Sequence, residues 1–119
     1  MMAFRIKRVY DKAETADGLR VLVDRLWPRG VSKEKAGIDR WLKEISPSNG
    51  LRTWYGHDPA RWEEFKARYF RELDQHGEVI GALVEQARAG TVTLLYASTE
   101  KRINNAAALK EYLESRLTG

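Results

Sequence analysis

The run Val21-Leu22-Val23-Asp24-Arg25-Leu26-Trp27-Pro28-Arg29-Gly30 decides the fold. Its first three residues are apolar and two of them are β-branched, which suits a strand. Unbroken apolarity, in place of alternation, marks a strand buried on both faces, as in a parallel sheet. An acid, two arginines, a proline and a glycine follow, and they end the strand and turn the chain. In open α/β sheets ligands gather where strands end. The segment therefore predicts a central strand and the place of a site, without naming what the site does.

Upstream, Phe4 to Tyr10 is β-prone and roughly alternating, so it predicts a half-exposed strand. Asp11 to Gly18 is a polar turn region, and Leu19–Asp24 is the second strand. Downstream, Ser32 can cap a short helical turn that ends before Gly37. Ile38, Trp41, Leu42 and Ile45 fall at helical spacing. Ser46-Pro47-Ser48-Asn49-Gly50 breaks that helix, and residues 51–55 read as another short one. At Asp58-Pro59 a helix can start, because Asp caps and proline fits a first turn whose N–H has no partner. Trp62, Phe65, Tyr69 and Leu73 form one apolar stripe, and Val79, Ile80, Leu83, Val84 and Ala87 another. Gly90 is a stop, Thr91–Ala97 is the third strand, and Asn104 or Asn105 caps a last helix with Ala108, Leu109, Tyr112 and Leu113 inward.

The order β, β, helices, β, α predicts an α/β fold: a single three-layer domain over residues 1–119, with a small, mainly parallel sheet. A helical insertion separates the second and third strands. Leu19–Asp24 should be central and parallel to Thr91–Ala97, since the helices between them provide a crossover. The first connection, 11–18, is short for a parallel crossover, which leaves an antiparallel hairpin open for the first pair. Trp41, Trp62, Phe65, Leu83, Leu95 and Leu109 are the expected core.

Composition narrows the class. The 119 residues are 43% hydrophobic and 32% charged, as in a soluble globular domain. Cysteine is absent, which excludes disulfides, thiolate metal sites and cysteine nucleophiles. The opening Met-Met-Ala-Phe-Arg-Ile-Lys-Arg has no apolar signal core and no run is long enough to span a bilayer, so a cytoplasmic location is expected, away from membranes. Net charge is +4, and residues 1–30 carry seven basic against four acidic side chains, an excess of three. Arginine outnumbers lysine by 13 to 8, which suits bidentate binding of phosphate or carboxylate.

The candidate ligand-binding residues are Asp24, Arg25, Arg29, Ser98 and Asn104. Asp24 could act as a base or orient a ligand while an arginine grips its anionic part; the structural alternative is an Asp24–Arg29 pair that fixes the turn. Ser98, Thr99, Asn104 and Asn105 follow the third strand and open the last helix, whose N–H groups attract anions. Neither a phosphate-loop nor a dinucleotide fingerprint is present. His57 and His76 lack metal-ligand spacing, so no metal and no cofactor is expected. Ser98, His57 and Asp24 make a triad only on paper, because no Gly-x-Ser-x-Gly elbow supports it. Among the tryptophans, Trp27 and Trp54 lie near turns and could stack on a base.

Ile6-Lys7-Arg8-Val9-Tyr10-Asp11, the Asp24-Arg25-Leu26-Trp27-Pro28-Arg29-Gly30 run, Trp41-Leu42-Lys43-Glu44, His57-Asp58-Pro59 with Arg61-Trp62, Thr93 to Ala97 and Asn104-Asn105-Ala106 together resemble the YeaO-like family of small bacterial proteins. That resemblance covers nearly the whole chain and implies a single α/β domain of unknown function. Asp24, Arg25, Pro28, Arg29 and Asn104 match the family pattern. After Ala97 the chain departs: Ile103 stands where the family has a histidine, so no acid–base role is open to that position.

The expected function is binding of a phosphate- or nucleotide-like anion at the C-terminal edge of the sheet, by an arginine and the last helix's N-terminus. The alternative is a nucleic-acid or protein-binding module that uses the basic N-terminal region without catalysis. No motif names a reaction, and none names an oligomeric state.

Overall fold

A computed structural model describes residues 3–117. Its centre is a four-stranded, all-parallel sheet of β1 (Phe4–Arg8), β2 (Leu19–Leu22), β3 (Arg40–Trp41) and β4 (Val92–Tyr96), in the order β1-β4-β2-β3. The strand read from Leu19–Asp24 is central and pairs in parallel with the one read from Thr91–Ala97, Val21 facing Leu94 and Leu22 facing Leu95. Val21, Leu22 and Val23 are all fully buried, as their unbroken apolarity requires.

Alternation sorts the sheet into two faces. Phe4, Val21, Val92, Leu94 and Tyr96 enter one large core, which α2 (Asn49–Tyr55), α3 (Trp62–Leu73), α4 (Gly77–Ala89) and α5 (Asn105–Leu117) cover. Leu22 and Leu95 enter a smaller core on the other face, with Val9, Ala36 and Ile38. That face is covered by α1 (Lys33–Ala36) and by the chain between β1 and β2. The result is three layers with unequal outer ones.

The β1–β2 connection is neither a hairpin nor a helical crossover. β1 pairs in parallel with β4, not with β2, so residues 9–18 return across the thin face as a strap. Ions hold the strap down. Asp17 is fully buried and its carboxylate accepts from Lys7 Nζ (3.1 Å), Arg20 Nη1 and the Glu14 N–H (3.0 Å). The Thr93 hydroxyl donates to the Asp17 carbonyl at 2.6 Å. Arg20, also buried, donates onward to the carbonyls of Ala36 (2.8 Å) and Gly37 (3.1 Å) and so fastens α1. Gly18 ends the strap at φ +63°, where a Cβ would lie 2.1 Å from the Thr91 carbonyl oxygen, so only glycine fits.

Two expectations fail here. Residues 38–45 are not a helix: Arg40–Trp41 is the edge strand β3, followed by a single 3₁₀ turn at Lys43–Ile45. Ile38 and Ile45 are both buried, but in different cores on opposite faces of the sheet. Trp41 is therefore 36% exposed at the sheet edge, not core, and Trp62 is only half-buried at the start of α3. Phe65, Leu83, Leu95 and Leu109 are buried as expected. Tyr69, on the same stripe as Phe65, satisfies its hydroxyl by donating to the Ile45 carbonyl at 2.6 Å.

Candidate functional site at the C-terminal edge of the sheet

The chain leaves β2 toward the thin layer, where Trp27 and Val31 join the smaller core. From β4 it leaves toward α5 and the thick layer. Adjacent parallel strands whose exits diverge open a crevice between their C-terminal ends, the usual ligand position in such sheets. A cleft of about 890 Å³ lies there, of a size suited to a small molecule.

Asp24 bridges the two strand ends. One carboxylate oxygen accepts from the Ala97 N–H (2.9 Å), the other from Asn105 Nδ2 (3.0 Å), which also donates to the Val23 carbonyl (3.1 Å). Burial pushes the Asp24 carboxyl above its ordinary value, and the Asn105 and Ala97 hydrogen bonds and the charge of Arg52 offset this only in part. Arg29 is not its partner: no ion pair joins them among the described residues.

Three guanidinium groups share the cleft wall. Arg25 is half-buried, with long contacts to the carbonyls of Pro47 (3.3 Å) and Ser46 (3.4 Å). Arg29 is exposed at the tip of the Pro28–Val31 turn, in which Gly30 takes φ +75°. The Arg29 carbonyl accepts from the Tyr10 hydroxyl at 3.1 Å, whereas its guanidinium makes no hydrogen bond or ion pair among the described residues. Arg52 is exposed on α2, and among the described residues its guanidinium makes one hydrogen bond, to Asn49 Oδ1 at 3.4 Å. Three arginines thus line the cleft with one acidic residue, Asp24.

Asp24, Arg25, Arg29 and Ser98 all line the cleft, but Asn104 does not. Asn104 is buried and caps α5, its Oδ1 accepting from the Ala107 N–H at 2.8 Å. Its neighbour Asn105 lines the cleft instead. Arg52, Thr53 and Tyr55 also line it and were not anticipated there, since only packing brings α2 to this edge; His57, grouped on paper with Asp24 and Ser98, lines it too. His57 had one local signal: it follows a helix-ending glycine, and its φ of +56° is the only positive value of a non-glycine among the described residues.

The paper triad does not assemble. The Asp24 carboxylate is engaged by Ala97 and Asn105, Ser98 Oγ accepts from the Glu100 N–H, and no hydrogen bond reaches His57 among the described residues. Tyr55 donates to the Ile103 carbonyl (2.7 Å), and burial, with the charges of Glu100 and Asp58, pushes its hydroxyl up to about 12. Among the described residues no group of three or more His, Cys, Asp or Glu could hold a metal ion, and no helix is long and apolar enough to cross a membrane.

Comparison with known proteins gives a family without a reaction. The model of the family described as the inactive DUF488-N3 subclade matches residues 3–119. The chain is 41% identical to Uncharacterized protein YeaO of Escherichia coli (strain K12) over 114 residues, 96% of this chain and 99% of that one. It is 38% identical to Uncharacterized protein Rv3073c of Mycobacterium tuberculosis (strain ATCC 25618 / H37Rv) over 112 residues, 94% of each. No solved structure matches.

Proposed function

The chain belongs to the inactive DUF488-N3 subclade and is a YeaO-like protein, and from that premise we propose that its cleft binds a small phosphate-bearing anion without transforming it. One observation carries this reading: Arg25, Arg29 and Arg52 line one cleft and, among the described residues, none forms an ion pair with a carboxylate. Guanidiniums left this way offer planar, charge-assisted donors to a phosphate. Asn104 caps α5, and the partial positive charge of that helix end adds to theirs. The subclade's description as inactive agrees with a site that holds no linked nucleophile and base.

The alternative reading is nucleic-acid or protein binding by the basic N-terminal region, and it has fewer free cations to draw on. Arg5, Lys7 and Arg20 are occupied by Asp17 and Glu14, and Arg8 by the carbonyls of Ala97 and Ser98.

The test is calorimetric titration with inorganic pyrophosphate. Binding should weaken steeply as salt rises, and Arg29→Ala or Arg52→Ala should each weaken it about tenfold or more, the worth of a hydrogen bond to a charged group. Arg29→Lys should restore part of the loss, since lysine keeps the charge but not the fork. Absence of binding by the wild type, or binding undiminished from wild type in both alanine variants, would sink the reading.

A further inference from the structure

Among the described residues, the exposed large apolar side chains are Tyr10, Leu26 and Trp41, and all three surround the turn that carries Arg29. Trp41 is the notable one, because its edge is anchored while the residue is 36% exposed. Its Nε1–H donates to the Asp24 carbonyl at 2.8 Å, and its ring meets that of Trp27 edge-on at 5.4 Å. Trp27 is pinned in turn by its own Nε1–H on the Val31 carbonyl at 2.7 Å. A fixed indole presented to solvent has already lost the rotamer freedom that binding would cost.

Beside it runs a groove of about 430 Å³, lined by Trp27, Lys33, Ile38, Asp39, Arg40 and Trp41. Trp27 also lines the arginine cleft, so the two depressions share a wall, and the Asp24 backbone joins them through its bond to Trp41. The groove is basic. Lys33 and Arg40 line it, the exposed Lys43 holds its ammonium 5.1 Å over the Trp41 ring, and none of the three has a carboxylate partner among the described residues. The only acid, Asp39, accepts from the Arg20 N–H at 2.9 Å. A peptide strand added to this edge would find two residues to pair with, Arg40 and Trp41, too few for a ladder.

We propose that this groove is a base-stacking subsite continuous with the arginine cleft. The ligand is then a nucleotide, its flat heteroaromatic ring on the Trp41 indole and its phosphates among Arg25, Arg29 and Arg52. This rests on the phosphate-binding reading of the cleft and adds the ring. The surrounding cations suit the ring of an anionic ligand, and Lys43, on a flexible stem, can leave the indole face for a phosphate.

The probes are inorganic pyrophosphate, ADP and UDP, which share a diphosphate and differ in carrying a nucleoside. Wild type should bind at least one nucleotide more tightly than pyrophosphate. Trp41→Ala should weaken that nucleotide about five- to a hundredfold, the range of one base–aromatic stack, and leave pyrophosphate unchanged. Trp41→Phe, which keeps a ring and loses the bond to Asp24, should retain most of the nucleotide affinity. A reading that needs no variant to fold is nuclear magnetic resonance of the wild type, in which the Trp41 indole signals should move with the nucleotide and stay put with pyrophosphate. If pyrophosphate binds as tightly as both nucleotides, or the Trp41 signals ignore them, the base subsite falls while the cleft reading stands. If no probe binds, both fall together.

Discussion

Two basic clusters lie on this sheet, and in the proposed reading they are put to opposite uses. On the thin face, Arg5, Lys7 and Arg20 close on the buried Asp17, and the strap they hold replaces a crossover helix. At the C-terminal edge, Arg25, Arg29 and Arg52 stand around Asp24 without pairing with it, because that carboxylate is taken by Ala97 and Asn105. Each has three cations, but the first sets them against two acids, Asp17 and the Glu14 that also pairs with Lys7, and the second against one. What differs is saturation: the first cluster is internally complete, the second is complete only toward a backbone amide and an asparagine. Unspent charge, not charge itself, separates a site from a brace.

The largest effect expected from this contrast is on stability. Arg20→Ala would leave the Asp17 carboxylate buried with its closest cation gone and the Ala36 and Gly37 carbonyls without their donor. Breaking a buried pair from one side costs roughly 3–5 kcal/mol, and urea denaturation should report a loss of that order. Arg29→Ala should change stability by no more than about 0.5 kcal/mol, as for an exposed residue with no partners. Equal costs for the two variants would erase the distinction between the clusters.

A smaller effect separates them by pH. Burial by itself raises the Asp17 carboxyl, but the Glu14 N–H, the Lys7 and Arg20 hydrogen bonds and the charge of Lys7 outweigh it, and the net value lies below the ordinary 3.8. A carboxyl lowered on folding contributes stability that is present above its unfolded value and lost as pH falls through the folded one. The difference in stability between wild type and Arg20→Ala should therefore persist down to about pH 4 and shrink below it, as Asp17 neutralises. Lys7 is shifted upward from 10.5, first by its hydrogen bond to Glu14 and then by Asp17, against its own desolvation. Its share is full below 10.5 and lost only as pH rises through the raised value. A difference that vanished near pH 6 would show that Asp17 is not the partner Arg20 serves.

The sequence made the sheet legible where apolar pattern controls it. Val21-Leu22-Val23 announced a strand with two buried faces, and the strand end announced the crevice. It concealed what polar groups control. The strap reads as a polar turn because Asp17 and Arg20, not a hydrophobic stripe, set its path across β4. Two residues of β3 are too few to show a period of two, and Ile38, Trp41, Leu42 and Ile45 imitate a helix although they serve different cores. Asn104 and Asn105 were interchangeable as caps; only the positions of Asp24 and Ala107 decide that one caps α5 and the other clamps β2. Arg52 could not be foreseen, since α2 reaches the edge by packing alone. The Ile103 side chain packs against the large core and its carbonyl takes the Tyr55 hydroxyl, so the position lacking the family's histidine still serves the fold.

The smallest expected effect is the most exacting for the comparison, because it asks whether Asp24 faces the ligand at all. Its carboxyl is raised on folding, first by burial, against the partial relief of Asn105, Ala97 and Arg52. A raised carboxyl contributes stability that is full below its unfolded value and lost as pH rises through the folded one, so near neutrality its ionised form is tolerated at a cost. That form also repels an anion in the cleft. Sulfate, which does not titrate between pH 4 and 7, should therefore bind more tightly as pH falls and Asp24 takes a proton, by less than about tenfold, a change of under one pKa unit in worth. His57 lines the same cleft. The measurement belongs in a His57→Asn background, since asparagine accepts the positive φ of that position. There the trend should survive, and a further Asp24→Asn change should flatten it. A flat profile in His57→Asn alone would mean that Ala97 and Asn105 have closed Asp24 off as completely as Lys7 and Arg20 close off Asp17, and the edge would then be a second brace.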